Sequence, residues 1–247
     1  MLREWRQRRR FSQLDLAAAA DVSAKHLSYV ETGRSRPSPE MIQHLSNHLD
    51  IPLRERNALL LAAGHAPRYQ ETPHQTNPPN ELQALLGLVM NGFRYPAFAV
   101  DAHWNLIAAN PPTGLFLDGI ASHLFEAPVN VIRLTLHPDG LAPRIVNFNE
   151  YAEHILERLR RLTANRPSTE LDALLDEFSH LAPKPSAHDT PGLALPIELT
   201  VTDGTTVRLI STITTFGAPH DINLAELALE TFYPADATSK AWLDASA

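Results

Sequence analysis

One stretch, residues 12–38, constrains the fold of this chain more than any other, because it carries the start and stop signals of three helices. Ser12 is suited to cap a first helix, with an acidic residue three positions on, as in a capping box. Ser23 is suited to cap a second helix, and Gly33 can end that helix in the left-handed conformation. The small Ala17 lets the two helices cross closely at a steep angle, which predicts a helix-turn-helix. The alternative is an αα-hairpin that binds nothing.

Three further helices are predicted around this stretch. One precedes it in the sequence LREWRQRRR, a fourth follows the cap Ser38 with Pro39 at its first position, and a fifth ends at Gly64. Five short helices predict a compact all-α domain over residues 1–66. The chain has a formal net charge of −7, yet basic side chains outnumber acidic ones up to Gly64 and acidic ones predominate after it. Such an asymmetry is typical of a DNA-binding domain joined to a non-binding one.

The register of the motif is given by Gln13, Leu16-Ala17, Val22-Ser23, Leu27, Val30-Glu31, Gly33-Arg34 and Pro37-Ser38. In this register the chain resembles the XRE-type helix-turn-helix family of phage Cro and repressor-like proteins. One departure is Asp21, where the family usually has glycine. Aspartate tolerates positive φ better than most residues, so we expect the turn to be preserved.

The resemblance implies that the second helix of the motif enters the major groove of double-stranded DNA with its N-terminal turn against base edges. The candidate base-reading residues are Ser23, Ala24, Lys25, Ser28 and Tyr29. The candidate backbone-contacting residues are Gln13, Arg34 and Arg36, with Arg9 and Arg10 as further candidates. Glu31 is expected to be structural and paired with an arginine of this domain, because a carboxylate at the DNA backbone would repel phosphate. A homodimer on a pseudo-palindromic operator is the expected assembly.

A second domain is predicted after a proline-rich linker at residues 67–80, and it covers residues 81–247. It opens with a helix from Glu81, and strands are predicted at residues 96–100 and 104–108. Helical segments follow, over residues 113–125, after a cap at Asn149 and after a cap at 168–169. Asp203-Gly204 then predicts a β-hairpin, and residues 224–233 favour a closing strand. This order predicts an α+β, PAS-like domain with an antiparallel sheet and an apolar cavity.

Three blocks of this domain, PAFAVDAHWNLIAAN, NVIRLTLHPDGLAPRIVNFNEYA and TFGAPHDINLAELALETFYPAD, resemble the MmyB-like ligand-binding domain of bacterial regulators. The resemblance implies a small apolar, fatty-acid-like ligand. In the middle block the candidate ligand-binding residues are Asn130, Arg133, His137 and Asn147, because polar groups amid apolar walls suit capture of a carboxylate or amide head group. Alternatively, Arg133 and Asn147 tie helices to the sheet and bind nothing.

Other function classes find less support in the sequence. The chain has no cysteine, and the pair His44 and His48 lacks an evident third ligand, so no metal site is expected. GxSxG, Walker, HExxH and dinucleotide-binding motifs are absent, so we expect no enzyme and no required cofactor. Without a long apolar run or signal-type segment, the expected location is the cytoplasm. The sequence therefore predicts a ligand-responsive transcription regulator. The alternatives are an unregulated DNA-binding protein whose second domain serves dimerisation or protein interaction, and an enzyme fused to a DNA-binding domain.

Overall fold

The computed structural model describes residues 1–72, 80–165, 168–181 and 194–246. The chain divides into two compact units, of which the first contains Met1–Thr72 and Ala218–Ala225 and the second contains Pro73–Gly217 and Glu226–Ala247. Residues 73–79 of the predicted linker lie outside the described residues. The predicted two-domain fold class, helical and then α+β, is confirmed.

The N-terminal unit consists of five helices, α1 (Leu2–Arg8), α2 (Gln13–Ala19), α3 (Ala24–Glu31), α4 (Pro39–His48) and α5 (Leu53–Ala62). Ser12, Ser23 and Ser38 each accept a hydrogen bond at the start of a helix, as predicted, and Ser12 with Asp15 forms a complete capping box. Because each capping oxygen pairs a backbone N–H that the helix leaves unpaired, these residues define where the helices begin.

An apolar core holds the five helices together. Its fully buried members include Leu16, Leu27, Leu45, Leu49 and Leu60, which come from α2, α3, α5 and the α4 region. Burial of such a side chain contributes roughly 1.5–3 kcal/mol, so the core is the main source of stability in this unit.

The segment Ala218–Ala225 is hydrogen-bonded within the first unit. The backbone N–H of Ile222 donates to the carbonyl oxygen of Gln70 at 2.8 Å, and that of Thr72 donates to the Asp221 carboxylate at 2.9 Å. Arg54 donates to the side-chain oxygen of Asn223 at 3.2 Å. This segment is therefore part of the packed structure of the first unit, although it is remote from it in sequence.

The second unit is built on an antiparallel sheet of β1 (Ala97–Val100), β2 (Leu106–Ala109), β3 (Ile197–Thr200), β4 (Thr206–Thr215) and β5 (Ala228–Pro234), in the order β2-β1-β5-β4-β3. Its helices are α6 (Asn80–Met90), α7 (Val131–Leu136), α8 (Phe148–Asn165), α9 (Thr169–Phe178) and α11 (Ala237–Ser246), while α10 (Ile222–Glu226) begins in the first unit. Phe98, Leu209 and Phe232 from the sheet, with Leu156 and Leu159 of α8, belong to one core cluster. None of the helices among the described residues is long and apolar enough to span a membrane.

The structure corrects several details of the sequence prediction. The helix predicted over residues 113–125 is replaced by two short 3-10 helices, Pro111–Phe116 and Ser122–Phe125, because Gly119, at φ 79°, interrupts the path between them. Helix α8 starts at Phe148, so Asn149 lies inside it and is not its cap. The closing strand is confirmed as β5, but residues before it form α10, and the C-terminal α11 was not predicted.

Candidate DNA interface and ligand cavity

The N-terminal turn of α3 presents a polar, exposed surface. Ser23 and Lys25 are exposed, and Ala24 and Ser28 are partly buried. Tyr29 is exposed one turn further along, and the Lys25 ammonium lies 5.8 Å from the centre of its ring. The predicted base-reading residues thus extend from the cap at Ser23 over the first six residues of the helix, and Lys25 is the cationic group among them.

Two left-handed residues shape the chain around α3. Asp21 has φ 49° in the turn before the helix, so the aspartate adopts the left-handed conformation at the position where XRE-type proteins usually have glycine. Gly33 has φ 73° after the helix, as predicted for its C-terminal end. Aspartate at positive φ carries a steric cost that glycine avoids, so the turn is preserved at some expense in stability.

A buried ion pair joins α1 to α3. Arg6 donates to the two carboxylate oxygens of Glu31 at 2.6 and 2.9 Å, and the amide of Gln13 donates to the same carboxylate at 2.8 Å. Burial opposes ionisation of Glu31, but the hydrogen bonds from Arg6 and Gln13 outweigh it, so its pKa lies below the ordinary value. The expected structural role of Glu31 is confirmed, and Gln13 at the start of α2 is oriented by it.

The two arginines expected at phosphates differ in their surroundings. Arg34 is exposed immediately after Gly33. Arg36 donates to the carbonyl oxygens of Ala63, at 2.5 Å, and of Gly64, at the end of α5. Its charge therefore complements the C-terminal end of that helix, a stabilising arrangement that sequence reasoning did not anticipate.

Arg9 has a comparable structural role, because it donates to the carbonyl oxygens of Leu49 and Asp50 at 2.9 and 3.0 Å. Arg10 is exposed.

An apolar cavity lies in the second unit, between the sheet and helices α7 and α8. Its volume is about 100 Å³. The apolar walls are contributed mainly by Phe98, Leu106, Phe116, Ile132, Leu134, Leu141, Ile155, Leu159, Leu162, Leu199, Leu209 and Phe232. A concave apolar site with few polar groups is the usual form of a small-molecule site.

Two charged side chains of opposite sign line this cavity. The Arg158 guanidinium lies over the Trp104 ring, 4.1 Å from its centre, which is a cation–π contact. An Arg158 Nη1 lies 3.8 Å from Oε1 of Glu230, which is beyond hydrogen-bond distance. Burial raises the pKa of the Glu230 carboxyl, while Arg158 and a hydrogen bond with Ser211 act in the opposite direction.

Tyr151 and His154 also belong to the polar lining of the cavity. Tyr151 is buried, and burial raises the pKa of its hydroxyl, so the phenol stays protonated. Burial, with Arg158 and Arg161, lowers the pKa of His154, so its imidazole is neutral at neutral pH. These two groups offer neutral hydrogen-bonding atoms beside the charged pair.

The four residues predicted to bind ligand are absent from the cavity lining of the described structure. Asn130 accepts hydrogen bonds from the first backbone N–H groups of α7 and donates to the carbonyl oxygen of His103. Asn147 donates to the carbonyl of Pro196 and accepts from the N–H of Glu198, which ties the start of α8 to the start of β3.

Arg133 is paired with Glu177, whose carboxylate it meets at 2.8 to 3.1 Å, and this joins α7 to α9. His137 accepts from the N–H of Asp139 in a turn. Each of the four residues therefore has a visible structural contact, and a role for them in ligand binding stays a prediction.

For a metal site, the sequence offered the pair His44 and His48, whereas the structure brings together His123, His137 and Asp139. His44 interacts with the carbonyl oxygen of Ala20 at 2.6 Å, and its ring packs against His48. His123, His137 and Asp139 place one nitrogen or oxygen each within 4.8 Å of one another near the surface, a grouping compatible with a cation.

Sequence reasoning missed Arg158 and Glu230. A signal for Glu230 is present, because it occupies an inward position of an apolar strand, with Phe232 two residues on and facing the same side. An acidic residue at such a position points to function or to a buried partner. Arg158 lies in a charged helix segment, ERLRR, where no local pattern distinguishes the inward arginine from its exposed neighbours.

Comparison with known protein families matches both parts of the chain. The model of the MmyB-like transcription regulator ligand binding domain matches residues 80–245, and a helix-turn-helix model matches residues 2–56. The first of these matches covers most of the chain and includes the whole lining of the cavity.

Curated relatives resemble a shorter part of the chain. Uncharacterised HTH-type transcriptional regulators of Mycobacterium bovis and of two strains of Mycobacterium tuberculosis are each 40% identical over 62 residues. Each match covers 25% of this chain and 24% of the relative. The chain thus spans about a quarter of the length of these relatives.

Proposed function

Since the chain belongs to the family of MmyB-like transcription regulators, with a helix-turn-helix domain at its N-terminus, we propose that a small, largely apolar ligand in the cavity controls its affinity for an operator. The observation that carries this proposal is the apolar cavity with Arg158 in its lining. An unregulated DNA-binding protein needs no such cavity, because a second domain used only for dimerisation is more stable when its core is filled.

The N-terminal domain reads DNA through α3. Lys25 reaches the acceptor atoms of a guanine, the Ala24 methyl contacts a thymine methyl, and Ser23, Ser28 and Tyr29 complete the reading surface. Gln13, Arg34 and Arg36 contact the DNA backbone. Arg34 contributes more than Arg36 to neutralising phosphate charge, because the Arg36 guanidinium is also hydrogen-bonded to the carbonyl groups at the end of α5.

The ligand is fatty-acid-like, with an apolar chain against the sheet and a polar head group at Arg158. The cavity volume of about 100 Å³ is well below the roughly 300–1,000 Å³ of sites that hold drug-sized ligands. A ligand with more than a few carbon atoms must therefore displace side chains of the lining. This displacement gives the bound and free proteins different structures, which a regulatory ligand requires.

The chain itself suggests how the displacement reaches the DNA-binding domain. Strands β4 and β5 supply Ser211 and Glu230 to the cavity, and they are joined through the segment Ala218–Ala225, which is packed within the first unit. A shift of these strands is transmitted along the chain to that segment. The protein acts as a cytoplasmic homodimer on half-sites about one helical turn apart. In that dimer, the transmitted shift changes how well the two recognition helices fit their half-sites.

The reading surface is tested by selecting bound sites from random DNA duplexes and then measuring affinities of variants of the full chain. Lys25→Ala is expected to relax discrimination at one base pair, where a good contact is worth about 1–3 kcal/mol. Arg34→Ala is expected to weaken binding to all DNA sequences by a similar factor. It should also reduce the steepness of log K against log salt concentration by about 1. Arg160→Ala, an exposed arginine of the second unit, is the matched control. Unchanged binding in both Lys25→Ala and Arg34→Ala would contradict the assignment of the surface.

The ligand is tested by native mass spectrometry of the chain purified from cells. A bound small lipid or acid that is lost in Leu209→Trp, which fills the cavity, is the expected result. A protein that carries no small molecule and binds none from a panel of medium-chain acids and alcohols would favour a dimerisation or protein-interaction role for the second domain.

A further inference from the structure

The cavity contains its own carboxyl group beside its only guanidinium among the described lining residues. Glu230 is 6% exposed and Arg158 is 28% exposed, and 3.8 Å separates their nearest nitrogen and oxygen. Within the part of the chain that the structure describes, Arg158 has no hydrogen bond to another residue; its contacts are with Glu230 and the Trp104 ring. A planar guanidinium held in this way is pre-organised to bind a carboxylate through two parallel hydrogen bonds.

We propose that Glu230 makes the binding of carboxylate ligands depend on pH. In the absence of ligand it pairs with Arg158, and when a ligand carboxylate binds Arg158 in its place, Glu230 takes up one proton. The inference rests on the ligand-binding function proposed above. In the exchange, the proton comes from solvent and binds a carboxylate oxygen of Glu230, the ligand stays ionised, and one anion faces Arg158 before and after binding.

The physical reason is the cost of two anions beside one cation in an apolar cavity. A second carboxylate near Glu230 disfavours its ionised form, in the same direction as its burial. Once neutral, the Glu230 carboxyl can donate a hydrogen bond to the ligand carboxylate, which has taken its place as the partner of Arg158. A neutral ligand, such as an alcohol, leaves the pair with Arg158 intact and takes up no proton.

The other titratable groups that line the cavity do not account for such a proton. Those present in the described lining are Tyr151, His154 and Arg158, all on α8, while β4 contributes the neutral Ser211. Tyr151 keeps its proton, because burial raises the pKa of its hydroxyl. Partial burial of His154, together with Arg158 and Arg161, disfavours its charged form. A ligand carboxylate could favour protonation of His154, so the test includes a His154→Gln variant.

The experiment is isothermal titration calorimetry of the full chain with sodium octanoate and, separately, with octan-1-ol. Titrations run from about pH 6 to 8.5, where octanoate is ionised, in buffers with different enthalpies of ionisation. The dependence of the binding enthalpy on the buffer gives the number of protons taken up. The variants are Glu230→Gln, Arg158→Gln, His154→Gln and Glu177→Gln, the last being a control for an acidic residue that lies outside the cavity lining.

For the wild type we expect uptake approaching one proton per octanoate and about a tenfold loss of octanoate affinity per pH unit above the pKa of Glu230. Octan-1-ol binding should be independent of pH. Glu230→Gln should bind octanoate more tightly than the wild type at pH 8 and without proton uptake, whereas Glu177→Gln should behave as the wild type. His154→Gln should keep the proton uptake of the wild type, whatever its octanoate affinity, because the proton binds Glu230. Arg158→Gln should lose octanoate and retain octan-1-ol, which also shows that its cavity is folded.

Octan-1-ol binding together with octanoate binding that takes up no proton would overturn the role of Glu230 while leaving the proposed function intact. Proton uptake that persists in Glu230→Gln, or disappears in His154→Gln, would overturn it as well. A wild-type count of zero overturns the role of Glu230 without any variant. If Glu230→Gln fails to fold, proton uptake that persists in His154→Gln still excludes His154 and supports Glu230 as the group that takes up the proton. Failure of both compounds to bind would overturn the proposed ligand class and this inference with it.

Discussion

Breaking the buried ion pair between Arg6 and Glu31 should destabilise the first unit more than breaking an exposed pair, and Glu31→Gln tests this. The substitution preserves the size of a side chain that is 1% exposed, but it leaves the Arg6 guanidinium, 9% exposed, without its counter-ion. Removing one partner of a buried pair costs about 3–5 kcal/mol. A unit of this size has a free energy of unfolding of about 4–10 kcal/mol, so the variant should lose a third of it or more.

The assay is urea denaturation followed by fluorine NMR of the chain labelled with 5-fluorotryptophan. Trp5 is the only tryptophan in the first unit, because the others are Trp104 and Trp242, so its resonance reports on that unit alone. With a denaturant slope of about 1–1.5 kcal/mol/M for a small domain, a loss of about 3–5 kcal/mol should lower the midpoint of the Trp5 transition by about 2–5 M.

Glu71→Gln is the matched control, because Glu71 belongs to the same unit and pairs with Arg54 at 2.6 Å, with half of its side chain exposed. Its effect should stay below about 0.5 kcal/mol. A Glu31→Gln midpoint equal to that of the control would refute the reasoning.

The same pair makes the stability depend on pH. The pKa of Glu31 is below its ordinary value of 4.5 in the folded protein, so its contribution is fully present above that pH and is lost as the pH falls through the lowered pKa. Glu31→Gln should remove this part of the acid dependence.

Two further predictions concern the backbone. Asp21→Gly should stabilise the first unit by about 0.5–1 kcal/mol, because glycine adopts φ 49° without strain; a lower midpoint for the Trp5 resonance in urea would contradict this. Gly140→Ala should destabilise the second unit by at least about 2 kcal/mol, since its added Cβ would lie 2.3 Å from the carbonyl oxygen of Leu134; an unchanged calorimetric transition of that unit would contradict this.

The DNA-binding domain could be predicted from the sequence because its structure is specified by local signals. Ser12, Ser23, Ser38 and Gly33 each act on the helix adjacent to them, so their effect can be inferred without knowing the fold. The pairing of Glu31 with an arginine was also expected, but which arginine it contacts depends on how α1 packs against α3.

The cavity was predictable as a feature of the second domain, whereas its polar residues were not. Arg158 and Glu230 meet because α8 lies across the sheet, and no local pattern encodes that contact. The conspicuous polar residues of the middle block, such as Asn130 and Asn147, have structural contacts because helix starts and strand ends also need hydrogen-bonding partners. Polar density in a sequence therefore does not distinguish a ligand site from the contacts that hold its walls in place.

The most direct test of a ligand-controlled regulator is the affinity of the full chain for its selected operator with and without a saturating cavity ligand. The account predicts a change of at least about fivefold with octanoate, within the range of typical allosteric couplings, and no change in the cavity-filling variant Leu209→Trp. Equal operator affinity of the wild type with and without bound octanoate, once binding to the cavity has been verified by calorimetry, would contradict it.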